Sequence, residues 1–202
     1  MVTDSWKEFA KLLLNHAAHG YVEYASFVIP DKKMSKAEAI DRKILCKYPE
    51  IGYSKDQRYR RKKAGQANFI YLRWQKIGIM LRTEGDVAAR QDPEQFERLD
   101  SAPLTFAVGS MLEIKVGKAK AGRNYTAFLS KQCFRTIKGI LRENVRHRRL
   151  AVAENYWERL CGLPAFGGIL EQTRELTKWI KKECKLAGLK KWSGRRLVLR
   201  PL

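Results

Sequence analysis

Hydrophobic and polar positions alternate along the chain in two distinct periods, and the switches between them mark the elements. Trp6, Phe9, Leu13 and Ala17 recur at helical spacing behind Asp4, which predicts a helix closed by Gly20. Tyr21–Ile29 is rich in strand formers and stops at Pro30. Ser35 with Glu38 has the form of a capping box, opening a helix whose apolar face is Ala37, Ile40, Ile44 and Tyr48. Ser54 caps a short helix to Lys63, after which Phe69–Trp74 and Ile77–Leu81 lie close enough to pair as a hairpin.

Asp92-Pro93 predicts a cap and first helical position, with a short helix running to Leu99. Three strands follow, at Leu104–Val108, Met111–Val116 and Tyr125–Leu129, the first two joined at Gly109-Ser110. Helical periods return over Lys131–Arg148 behind Ser130, over Ala151–Cys161 and over Ile169–Leu186, and Arg196–Leu199 reads as a last strand. Helices segregated around short antiparallel strands give an α+β class. Without an internal repeat or a low-complexity linker, the 202 residues read as a single basic domain, with a possible subdivision into 1–130, mixed, and 131–202, mainly helical.

Charge changes the picture from fold to partner. Lys and Arg number 41 against 21 Asp and Glu, a net charge of +20, which gives a compact body a field that attracts polyanions. Residues 1–50 are nearly neutral while residues 101–150 carry 11 basic and 2 acidic side chains, so the contact surface is expected beyond residue 55. The apolar runs are far shorter than the roughly 20 residues a membrane-spanning helix needs. The N-terminal helix is interrupted by Lys7, Glu8 and Lys11, unlike a signal peptide, so a cytoplasmic location is expected. Cys46, Cys133, Cys161 and Cys184 are widely spaced, without a Cys-x-x-Cys pair, and read as reduced core thiols.

Three features point to nucleic acid, DNA or RNA. The run Arg58, Arg60, Arg61, Lys62 and Lys63 sits on one short helix, with Arg58, Arg61 and Lys62 on a shared face. It is followed by Phe69, Tyr71, Arg73 and Trp74, where Arg73 adds a cation and the rings are either core or surfaces for stacked bases. Between two strands, Lys115, Lys118, Lys120 and Arg123 alternate with small residues, as a loop following a phosphate chain would. On the helix after Ser130, Arg135, Lys138, Arg142, Arg146 and Arg149 form a stripe opposite Phe134, Ile137, Leu141 and Val145. A basic amphipathic helix also suits an anionic membrane surface, but cations on several elements favour a phosphate backbone.

Catalytic signals are sparser. Asp100 with Glu113-Ile-Lys115 has the order Asp, Glu-x-Lys of a class of metal-dependent nucleases of mobile elements and defence systems, in which two carboxylates hold Mg²⁺ and the lysine positions water. This is the alternative to a binding protein that makes no bonds, for which no cofactor is expected. His16, His19 and His147 are the only histidines and read as structural or exposed rather than as metal ligands. Walker, dinucleotide-binding, Gly-x-Ser-x-Gly and zinc-finger patterns are absent. Oligomeric state leaves no mark in the pattern.

Overall fold

A computed structural model describes residues 1–87, 95–119, 124–189 and 192. It is an α+β protein that divides into two compact units, one of residues 1–104 with 122–125, the other of residues 105–121 with 126–202. Sequence counts within those bounds give 20 basic and 14 acidic residues to the first unit and 21 and 7 to the second, so the second carries most of the +20.

The first unit is built on a five-stranded sheet in the order β1-β3-β4-β2-β5: β1 Val2–Thr3, β2 Glu23–Val28, β3 Phe69–Trp74, β4 Ile77–Arg82 and β5 Glu97–Arg98. β3 and β4 form the expected hairpin in the register Trp74↔Ile77, with Gln75 at φ +49° in the two-residue turn. β2 adds antiparallel to β4, and β1 parallel to β3. Helix α1, Trp6–Ala18, lies on one face through Phe9, whose ring is 6.3 Å from that of Trp74. Its cap is Ser5 rather than Asp4, with Ser5 Oγ accepting from the Lys7 amide at 3.2 Å.

Helix α2, Ala37–Lys47, covers the other face. A 3-10 turn over Asp31–Lys36 precedes it, opened by the Lys33 amide donating to Pro30 O. Ser35 is thus already inside helical backbone and the expected Ser35/Glu38 box does not form; the helix begins without a side-chain cap. Alternation along β3 sends Phe69, Tyr71 and Arg73 towards α2, and Ile70, Leu72 and Trp74 towards α1, so all six positions are buried. The aromatic residues of this strand are core, not stacking surfaces for bases.

At the Phe27↔Gly78 pair the Phe27 ring lies across β4 and stacks near-parallel to Tyr71; a Cβ on Gly78 would meet the ring at 2.2 Å. The expected Asp92-Pro93 cap lies outside the described residues. Of the helix expected to reach Leu99, Glu97–Arg98 is strand, held to β2 by the pair Tyr24↔Glu97 and by the Tyr24 hydroxyl donating to Glu97 at 2.7 Å.

The second unit has a three-stranded sheet in the order β6-β7-β8 (Leu104–Val108, Leu112–Lys118, Tyr125–Leu129) and three helices: α4 Lys131–Arg146, α5 Leu150–Leu160 and α6 Gly167–Leu186. Helix α3, Lys55–Lys63, belongs to the first unit. Ser130 caps α4 by accepting from the Cys133 amide at 3.1 Å. Cys133, Ile137, Leu141 and Val145 form the buried stripe of α4, which packs on α5 and α6. The Gln172 amide clamps α6 to β8, accepting from Leu129 N at 2.8 Å and donating to Leu129 O at 2.9 Å. Gly168 makes this approach possible, since a Cβ there would meet the Phe128 ring at 2.4 Å.

All four cysteines are unpaired, but only Cys133 and Cys184 are core residues; Cys46 is exposed and Cys161 half-buried. Among the described residues no helix is long and apolar enough to cross a membrane. The strand expected at Arg196–Leu199 lies outside the described residues.

Candidate nucleic-acid interface

Helix α3 carries the first basic run, and its capping box forms as expected: Ser54 Oγ accepts from Gln57 N, and Gln57 Oε1 accepts from Ser54 N at 2.8 Å. The expected face of Arg58, Arg61 and Lys62 is split by the fold. Arg58 Nη2 donates to Ile51 O at 3.1 Å and Arg61 Nη2 to Ala67 O at 2.7 Å, with Arg61 also over the Tyr53 ring. These two arginines are half-buried and donate to backbone carbonyls outside the helix. Arg60, Lys62 and Lys63 remain exposed.

Arg73 is not a surface cation either. At 8% exposure it forms a two-pronged ion pair with Asp41, Nε to Oδ1 at 2.9 Å and Nη2 to Oδ2 at 2.8 Å. Tyr71 donates its hydroxyl to the same carboxylate at 2.7 Å, and burial, reinforced by that hydrogen bond, pushes its pKa well above the usual phenol value. The cluster ties β3 to α2 and leaves Arg73 nothing to offer a phosphate.

The second unit brings the other two features together. Lys115 and Lys118 of β7 and Lys131, Arg135 and Lys138 of α4 line one groove of about 690 Å³. Its floor includes Phe128, Leu129 and Phe134, and α6 contributes Glu171, Gln172 and Glu175. The three α4 cations follow one another at spacings of four and three, so they share a helix face. Lys138 is not free: its ammonium is 2.6 Å from Glu175 and lies over the rings of Phe134 and Trp179. Arg142, further along the stripe, pairs with Glu183 at 3.1 Å and also stacks on Trp179. Arg135, Arg146 and Arg149 stay exposed. Lys120 and Arg123 lie outside the described residues.

Lys131 was not among the cations expected here, although its spacing of four from Arg135 continues the stripe. The groove acids on α6 could not be assigned to it from sequence, because 40 or so residues separate them from their partners on α4.

The residues of the nuclease pattern belong to different units. Asp100 follows β5 in the first unit and receives Arg98, at 3.2 Å from Nε to Oδ1 and from Nη2 to Oδ2. Glu113 and Lys115 are two apart on β7 but line different hollows, Glu113 one with Gln132, Cys133 and Thr136. Among the described residues there is no group of three or more His, Cys, Asp and Glu placed to hold a metal ion.

His16 sits edge-on to Tyr21, and its pKa is lowered, first by burial and then by the Arg58 charge. His19 Nδ1 is 2.7 Å from Asn15 O, and His147 forms the exposed C-cap of α4 in the other unit. Comparison with protein-family models, curated proteins and solved structures finds no match for the chain.

Proposed function

We propose that the second unit binds the phosphate backbone of a nucleic acid in the groove between β7 and α4. The observation that carries this is the convergence of Lys115, Lys118, Lys131 and Arg135, from two elements, on one groove with a partly aromatic floor. Each lysine or arginine that meets a phosphate releases condensed counterions, and this entropy gain is the main source of sequence-independent affinity. Phe128 and Phe134 offer apolar faces between the cations, against which sugars and unstacked bases can rest. Such contacts position a strand without reading its bases, so DNA and RNA of equal length bind with similar affinity. Four unpaired thiols accord with a reducing cytoplasm.

The test is fluorescence anisotropy with short labelled DNA and RNA oligonucleotides, comparing the parent protein with Lys118→Glu/Arg135→Glu. Two attractive contacts become repulsive, and binding weakens at least about ten-fold on both probes. A titration identical to the parent's refutes the groove as the binding surface. The same reversal at Arg60 and Lys63 on α3 serves as the comparison, and a larger loss there moves the interface to the first unit.

A further inference from the structure

Among the described residues, the first unit has a sheet edge that no further strand covers, beside an apolar hollow. β5 pairs with β2 only at Glu23 and Tyr24, and no strand among the described residues continues beside Ala25–Val28. Two hydrogen bonds fix which way the β2 backbone faces. Ile29 N donates to Lys76 O at 2.7 Å on the β4 side, whereas Val22 O accepts from Leu99 N at 2.9 Å on the other side. Residues alternate along a strand, so Ser26 and Val28 point their N–H and C=O groups at the open edge. Both residues are exposed, Val28 at 61%.

Edges of this kind are ordinarily blunted by proline, by charge or by a covering element, because they template pairing with another chain. None of Ala25, Ser26, Phe27 and Val28 is charged or proline. Immediately alongside, β2 and α2 enclose a hollow of about 400 Å³, lined on the sheet side by Ala25, Phe27 and Met80 and on the helix side by Ile40 and Ile44. The exposed Lys43 stands on the helix side of the same hollow.

We propose that this edge and hollow bind an extended acidic peptide segment of a partner protein as an added strand of the sheet. Backbone groups of Ser26 and Val28 supply the ladder hydrogen bonds, and every second side chain of the peptide falls on the α2 side and enters the hollow. A carboxylate on the peptide meets Lys43. A partner of opposite charge is favoured over a second copy of this chain, since two bodies of +20 repel. The inference is independent of the nucleic-acid groove, which lies in the other unit.

The probe is a fluorescein-labelled octapeptide of alternating leucine and threonine with one leucine replaced by glutamate, so that the carboxylate falls on the α2 side with the remaining leucines, titrated against the full chain by anisotropy. Saturable binding is expected. Ser26→Pro removes one outward N–H at an edge position that tolerates proline, and weakens binding about ten-fold, as expected for a lost ladder contact. Ile40→Glu weakens it through the hollow, and Lys43→Glu weakens the glutamate peptide more than its glutamine counterpart. Methylating the peptide's own alternate backbone nitrogens abolishes binding in one register, a readout that needs no variant of the protein. Absence of saturation overturns the proposal, as does binding insensitive to both N-methylation and Ser26→Pro. Self-association of the free chain that Ser26→Pro abolishes also overturns it, by assigning the edge to a second copy.

Discussion

Replacing Glu175 by Gln should tighten nucleic-acid binding. Among the described residues Lys138 is the one groove cation paired with an acid, its ammonium 2.6 Å from Glu175, with the lysine side chain 25% exposed and the glutamate 60%. A pair this open to solvent contributes about 0–1 kcal/mol to stability, so its loss leaves the fold standing. The groove holds five cations against Glu171 and Glu175, and the change both removes one negative charge and frees one positive one.

The magnitude follows from counterion release, which gives a slope of about −0.9 in log K against log salt for each phosphate contact on duplex DNA. Four available cations, Lys115, Lys118, Lys131 and Arg135, give a slope of about −3.6, and Lys138 as a fifth makes it about −4.5. Between 50 and 200 mM salt the parent therefore loses about 150-fold in affinity and the variant about 500-fold. At 0.1 M salt the added contact is worth about eight-fold. The assay is anisotropy on one labelled duplex across a salt series, with a urea melt of both proteins as a control. An unchanged slope, or weaker binding by the variant with an unchanged melt, would show that phosphates do not occupy this groove.

Two further outcomes test the first unit. Asp41→Asn leaves Arg73 buried without its counter-charge and is expected to destabilise the fold by about 3–5 kcal/mol in urea unfolding; a change under about 1 kcal/mol would mean that the network is not an anchor. His16 titrates lower in the folded chain than its ordinary 6.5, so below that pH the unfolded chain takes up a proton that the folded chain resists, and stability falls. Unfolding midpoints measured from pH 7.5 to 5 should therefore drop further for the parent than for His16→Gln, and parallel curves would refute the assignment.

Much of the fold is legible along the chain where two local signals coincide. α3 has its cap and capping partner three residues apart, and β3 and β4 are separated by a two-residue turn, so both elements follow from neighbours in sequence. Where the deciding contact is distant, local signals mislead. Ser35 and Glu38 have the spacing of a box, but the backbone is already turning from Pro30. The two-residue strand at Glu97 exists because Tyr24, 73 residues away, offers it a hydroxyl and an edge. A clue to the role of Arg73 was nonetheless present. Asp41 shares the helical face of Ala37, Ile44 and Tyr48, and a carboxylate among core positions calls for a cation from another element.

The cations show why a sum of charges locates a partner only coarsely. Arg58, Arg61 and Lys62 occupy one helix face by spacing, yet the two arginines spend their guanidiniums on Ile51 O and Ala67 O while the lysine stays in solvent. A guanidinium has several donors in a fixed fork and is well suited to capping loop carbonyls, so the arginines nearest a loop are the first to be withdrawn. On α4 the same competition is run by acids: Glu175 and Glu183 engage Lys138 and Arg142, the middle of the stripe, and leave Arg135 and Arg146 on either side. What remains available is decided by which carbonyl or carboxylate the fold brings within about 3 Å of each cation, a relation between elements rather than within one. The groove is the stronger candidate interface for this reason, because Lys115, Lys118, Lys131 and Arg135 are brought together by the packing of β7 and α4, not merely by adjacency in sequence.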